Sequence, residues 1–213
     1  NMPTGGDARM ETYRRLVDFA KRHHIVVVND NPYSFILNEH PISLLQVEGA
    51  KDYCIELNSM SKGFNMPGWR VGMCVSNPQF ISWILKIKSN IDSGTFRGLQ
   101  LAAAEALTTN DEEWHREYNI NVYRRRRDIA EKIMQTLGCT YDPKQVGMFL
   151  WAKIPDKYTD AEQLTERVLH EARVFITPGF IFGNNGWRYV RISLCAQDDK
   201  MREALHRIAA LEW

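Results

Sequence analysis

Ser59-Met60-Ser61-Lys62-Gly63-Phe64-Asn65-Met66-Pro67-Gly68-Trp69-Arg70-Val71-Gly72 is the stretch on which the reading of this 213-residue chain turns. It follows directly on Tyr53-Cys54-Ile55-Glu56-Leu57-Asn58, an apolar run that reads as a strand. In open α/β sheets ligands sit beyond the carboxyl ends of the strands. A lysine just past such an end, between hydroxyls and with an arginine eight residues on, suits an anionic aldehyde. The amine forms an imine, and the hydroxyls and guanidinium hold a phosphate by charge-assisted hydrogen bonds. By composition alone, Lys62 and Arg70 read more readily as solvated loop charges.

Working outward, Met10, Tyr13, Leu16, Val17 and Ala20 form a helical stripe over 7–24. The β-branched run Ile25-Val26-Val27-Val28 then reads as a buried parallel strand, stopped by Asn29-Asp30-Asn31-Pro32. A strand is expected over 70–75, and helices over 78–89 and 99–109. From 112 to 137 the pattern is helical, with no Gly or Pro. Beyond Gly138 strands are expected over 146–154, 174–177 and 188–194, with helices over 160–171 and 198–211. The expectation is therefore an α/β protein: a mostly parallel sheet in 1–118, then a smaller α+β unit in 119–213.

The composition is 44% hydrophobic and 25% charged, as in ordinary soluble globular proteins. With 27 Lys plus Arg against 26 Asp plus Glu, a net charge of +1 gives no global reason to expect nucleic acid as a partner. No apolar run approaches the ~18 residues of a membrane helix. Cys54, Cys74, Cys139 and Cys195 show no metal-ligand spacing. They read as buried reduced thiols of a cytoplasmic protein, and no metal site is expected. Arg124-Arg125-Arg126-Arg127, flanked by acidic residues, reads as a solvated helix face with ion pairs. Trp114, Trp151, Trp187 and Trp213 read as packing residues.

The Ser59–Gly72 segment resembles the pyridoxal-phosphate lysine signature of the class I/II (fold type I) aminotransferases: Ser-x-Ser-Lys, a loop of small residues, then Gly-x-Arg-x-Gly. Further segments agree in the same chain order. Asp30-Asn31-Pro32-Tyr33 resembles the family's Asp-x-x-Tyr, and Val190-Arg191-Ile192-Ser193 its late Val-Arg-Ile/Leu-Ser strand. Pro178-Gly179-Phe180-Ile181-Phe182-Gly183 matches its Pro-Gly-x-x-Phe-Gly loop. Ser89–Phe96 with Gln100 is similar to the branch containing LL-diaminopimelate, alanine and aspartate aminotransferases. Asn1-Met2-Pro3-Thr4-Gly5 resembles the family's Asn-Pro-Thr-Gly, except that Met2 stands before the proline.

The resemblance implies roles. Lys62 would form the Schiff base with pyridoxal 5'-phosphate. Ser59, Ser61 and Arg70 would hold the phosphate, and Asp30 the pyridine nitrogen. Tyr33, and in the family the asparagine that Asn1 approximates, would meet the phenolic oxygen. Arg191 would clamp the substrate α-carboxylate, where a planar fork favours arginine. Arg188, on the opposite face of its strand, is expected to be solvated. The implied reaction moves an amino group between an amino acid and a 2-oxo acid, in a homodimer. A lyase or decarboxylase of the same fold, or a regulator domain that senses the cofactor, shares every residue quoted. The chain opens inside a loop motif, so it reads as the C-terminal fragment of such an enzyme and is expected to be inactive alone.

Overall fold

The computed structural model describes residues 1–109 and 112–213. Their contacts divide them into a first unit, Ala8–Arg116, and a second, Asn1–Asp7 with Glu117–Trp213. The sequence reading drew one boundary at 118/119; the contacts draw it after Arg116 and assign the first seven residues to the later unit. The Gly5 carbonyl accepts a hydrogen bond from the Val146 N–H at 2.8 Å. Gly5 has a φ of +67°, and a Cβ there would lie 2.9 Å from the Val146 oxygen, so only glycine fits.

The first unit opens with α1 (Met10–His23), which buries Tyr13, Val17 and Ala20. It ends where His24 turns left-handed and returns its N–H to the Ala20 carbonyl, with Lys21, Arg22 and His23 in the last turn facing the negative end of the helix dipole. The strands β1 (Val27–Asp30), β2 (Cys54–Ser59) and β3 (Gly72–Val75) form one sheet in that order. β1 and β2 are parallel; β2 and β3 are antiparallel. The antiparallel pair follows from the connection. Only the single turn α2 (Met60–Gly63) and a 3₁₀ turn at Pro67–Trp69 lie between the strands, too little for a parallel crossover.

β1 begins two residues later than expected, and it is not buried. Its residues alternate between half-buried and exposed. Val27 packs on the cluster of Tyr13, Val17, Leu44, Ala50 and Cys54, while Val28 on the other face is 54% exposed. β1 lies at the edge of a three-stranded sheet, so one face and one flank stay open. α3 (Pro78–Ile91), capped by the Asn77 side chain on the Phe80 N–H, buries none of its residues, and α4 (Arg97–Thr109) buries only Ala103. Trp83, Leu85, Ile87 and Ile91 are all exposed. A short turn, α5 (Glu112–Trp114), follows.

The helix expected over 112–137 is not uniform. Between α5 and α6 (Tyr123–Thr136), residues His115–Val122 wind as a π-helix. In the second unit β4 (Phe149–Lys153), β5 (Thr177–Pro178) and β6 (Tyr189–Ser193) form an antiparallel sheet in the order β4-β6-β5. α7 (Ala161–Arg167) is capped by Asp160, and α8 (Asp198–Ala209) packs along α6. Ile133, Met134, Leu150, Leu164, Val190, Met201 and Ile208 close the core, all nearly inaccessible.

Three expectations about single residues change. Arg127 is not solvated; it is 6% exposed. Its guanidinium is satisfied by Glu131 at 2.8 Å and by the Gln145 and Pro143 carbonyls at 2.6 and 3.4 Å, which makes burial tolerable. Arg125 and Arg126 pair with Asp198, each at 3.3 Å. Partial burial opposes ionisation of Asp198, but the hydrogen bonds from Arg126 and Arg125 outweigh it and hold the carboxyl below the usual range. Arg188 is only partly solvated: it donates to the Tyr158, Thr159 and Pro155 carbonyls and pairs with Asp156 at 2.9 Å, tying down the loop after β4. Of the thiols, Cys54 and Cys139 are buried, Cys74 is half-buried and Cys195 is exposed. Burial pushes the Cys139 thiol up to about 12.

Gly179 is a tight point of the second unit. A Cβ there would come within 2.5 Å of both the Gly186 and the Tyr189 carbonyl oxygens. Gly179→Ala is therefore expected to destabilise the fold by roughly 1–3 kcal/mol or more, read as a lowered urea midpoint. An unchanged midpoint would show that this loop yields freely.

Candidate active site

Because β1 and β2 run parallel, their carboxyl ends emerge at the same edge of the sheet. Asp30 is in register with Leu57, and the next residue, Asn31, donates its N–H to the Leu57 carbonyl at 3.0 Å. Asp30 thus ends β1 two register steps from Ser59, where β2 ends. β3 runs back from that edge: Ser59 is in register with Gly72, and the Met60 N–H donates to the Val71 carbonyl at 3.1 Å. Arg70, just ahead of β3, is thereby returned to the edge from which Ser59, Ser61 and Lys62 project. Tyr33 lies in the turn that follows β1, half-buried.

Local chemistry explains why the lysine stands on a helical turn. Ser59 is extended and caps α2, its Oγ accepting the Ser61 N–H at 3.1 Å. A hydroxyl that accepts one bond still has its own proton to donate. Lys62 is half-buried, between buried Met60 and Gly63. Arg70 adopts the left-handed region, φ 55° and ψ 42°, which an arginine enters only at a cost. It is exposed, and its Nη1 donates to the Pro67 carbonyl at 3.1 Å. The edge thus gathers two cations and two hydroxyls on the β2–β3 connection, with a carboxylate at the end of the neighbouring strand. That set suits a ligand with an anionic group at one end and a basic nitrogen at the other.

The remaining two residues singled out from the sequence, Asn1 and Arg191, lie in the second unit. Asn1 is exposed, and its backbone carbonyl accepts the Gly5 N–H at 2.8 Å. Arg191 is on the central strand β6, flanked by the buried Val190 and Ile192. Its guanidinium carbon sits 4.1 Å from the ring centre of Phe149 and 4.3 Å from that of Phe182. Phe182 belongs to the Pro178–Gly183 loop, so one role of that motif is to hold an aromatic ring against Arg191. Among the described residues no group of three His, Cys, Asp or Glu side chains is placed to hold a metal ion, and no helix is long and apolar enough to cross a membrane.

Residues 1–208 match the family of aminotransferases of class I and II. The chain belongs to that family. It is 40% identical to an LL-diaminopimelate aminotransferase of Aquifex aeolicus over its whole length and 54% of that protein's. It is 37% identical to the enzyme of the same name from Nitratidesulfovibrio vulgaris, again over 54% of the relative. Among solved structures, BacF of Bacillus subtilis superposes on the whole chain with a TM-score of 0.89 at 34% identity, over 54% of its own length. An aminotransferase from Staphylococcus aureus gives 0.87 at 34%, over 99% of this chain and 56% of its own. The chain spans about half the length of the curated relatives it matches.

Two contributors escaped the sequence reading of this family member. Gly63 sits close under the Phe35 ring, which a Cβ would meet at 3.0 Å and force to give way. Trp114 donates its indole N–H to the Gly63 carbonyl at 2.8 Å. Gly63 lies within the quoted motif, but no local pattern announces a partner 51 positions away.

Arg70 supplies the test of this geometry. Arg70→Gly removes the cost of a left-handed arginine, and the gain outweighs the added freedom of the unfolded chain. Stability is expected to rise by about 1 kcal/mol in urea denaturation. A fall in stability would mean that the bond to Pro67 matters more than the strain.

Proposed function

We propose that the whole protein carrying this chain transfers an amino group between an amino acid and a 2-oxo acid, using pyridoxal 5'-phosphate held at the carboxyl edge of β1 and β2. The observation that carries this reading is the shared edge. Asp30, Ser59, Ser61, Lys62 and Arg70 come from three strand ends, and the register of the sheet gathers them. The donor set fits the cofactor. Arg70 and the hydroxyls of Ser59 and Ser61 take the phosphate, and the Asp30 carboxylate holds a proton on the pyridine nitrogen. Tyr33 donates to the phenolic oxygen. Asn1, one position before the family's asparagine, is the candidate second donor to that oxygen; otherwise Tyr33 carries the contact alone.

When bound, the cofactor supplies an aldehyde to receive the amino group and a ring that accepts electrons from the Cα–H bond. The chain supplies the rest. Arg191 grips the α-carboxylate through a planar fork, its guanidinium steadied by Phe149 and Phe182. Lys62 would hold the cofactor through its Nζ, and the same amine would move the proton at the substrate Cα, as base and then as acid. The names of the relatives make diaminopimelate-type amino acids the first donors to assay. The whole protein works as a homodimer, away from membranes and nucleic acid, in the cytoplasm. The 213 residues cover 54% of the length of the Aquifex relative, and the proposed activity is that of the whole protein.

Two measurements test the proposal. Borohydride reduction of the cofactor-loaded protein, followed by peptide mapping, is expected to fix the cofactor on Lys62, and Lys62→Ala to abolish both the visible absorbance and transfer. A reducible adduct that persists in the variant would overturn the assignment of Lys62. Arg191→Lys keeps the charge but loses the fork. It is expected to lower kcat/KM at least ~10-fold for every amino acid, mainly through KM. A loss confined to one substrate would assign Arg191 to side-chain recognition instead.

A further inference from the structure

We infer that Trp114 is a positioning residue for Lys62: its indole N–H clamps the carbonyl of Gly63 and so fixes the one-turn helix that carries the reactive lysine. The inference rests on the reading of Lys62 given above. α2 spans only Met60–Gly63, and a helix this short has little stability of its own. Its end carbonyls also lack partners within the helix. Something outside must hold both ends. Ser59 Oγ does so at the start, accepting the Ser61 N–H at 3.1 Å. Trp114 does so at the end, donating to the Gly63 carbonyl at 2.8 Å.

A second observation makes Gly63 a fixed point. Phe35 lies so close that a Cβ on Gly63 would meet its ring at 3.0 Å. Phe35 is in turn held edge-on by Phe64 and by His115, with ring centres at 6.4 and 6.2 Å. Gly63, next to the lysine, is therefore pressed by a ring on one side and tethered through its carbonyl on the other. A cavity of about 190 Å³ lies between Phe64, Ala106, Thr109 and Trp114. The indole borders this cavity, and its hydrogen bond to Gly63 gives the contact a direction. The residues after Gly63 continue the tie, with the Asn65 N–H on the Lys62 carbonyl and the Met66 N–H on the Met60 carbonyl, both at 3.2 Å. A misplacement of about 1 Å at a reacting amine can cost ~100-fold in rate, so a clamp one residue away bears on turnover without touching the substrate.

The test is Trp114→Phe in the whole protein, with Trp83→Phe as the control, since Trp83 is exposed and distant in sequence from the lysine turn. Three quantities are read. In the cofactor-free protein, hydrogen–deuterium exchange over 60–66 is expected to quicken ~10-fold. In the loaded protein, kcat is expected to fall ~10-fold while KM and cofactor affinity stay within about twofold. The pH midpoint of the bound cofactor's visible absorbance is expected to move, because that titration reports the setting of the Lys62 nitrogen. Faster exchange with unchanged kcat overturns the inference, as does reduced kcat with unchanged exchange. An activity loss that merely tracks loss of folded protein or of bound cofactor also overturns it. A measurement on the unaltered protein needs no variant to fold: the Trp114 indole proton should exchange more slowly than that of Trp83, and equal rates would overturn the contact. Borohydride mapping keeps the two readings apart. An adduct on another lysine would sink the role of Lys62, while exchange over 60–66 would still report the clamp.

Discussion

The parallel pairing of β1 with β2 is the constraint from which the candidate site follows. Parallel strands share a carboxyl end, so a carboxylate finishing one strand and a capped lysine turn finishing the other must lie along one edge. The short antiparallel return through β3 then brings an arginine to the same place. None of these side chains needs a long-range contact of its own to reach the edge. The backbone register delivers them, and local capping by Ser59 sets the direction of the last turn.

Each unit is held together internally by its own means. The second has a closed core, with α6 and α8 packed over an antiparallel sheet and buried arginine and glutamine side chains satisfying backbone groups. The Gln145 amide bonds both the N–H and the carbonyl of Trp151, at 2.9 and 2.7 Å, and so acts as a short extra strand beside β4. The first unit concentrates its chemistry at one sheet edge and buries little of α3 and α4. Its helices leave Trp83, Leu85, Ile87, Ile91 and Leu101 exposed.

Much of this was legible in the sequence. The run Tyr53–Gly72 announced a strand, a lysine turn and an arginine because each step is encoded by neighbours in the chain. The strand character of Tyr189–Ser193 and the helix of Asp198–Ala209 were readable from period alone. What stayed hidden depends on distant partners. Four consecutive arginines look alike in sequence, yet Arg127 is buried because the Pro143 and Gln145 carbonyls meet it. Arg188 was read as solvated from strand alternation, which is blind to the loop that folds over it. The π stretch at His115–Val122 carries no Gly or Pro to mark it. Exposed Val28 shows that an apolar run does not by itself bury a strand when the sheet offers only one covered face.

The hydrogen bond between Gly5 and Val146 has a bearing on how the protein forms. It lies within the second unit, between residues that the whole first unit separates along the chain, so that unit is assembled from two pieces made apart in time. During synthesis the Gly5 segment must wait until Val146 has emerged, and the loop it closes is long, which adds entropic cost and slows the closing step. The first unit, contiguous from Ala8 to Arg116, is free to collapse in that interval. Membership of the second unit thus closes a long loop between Gly5 and Val146 that the contiguous first unit does not need.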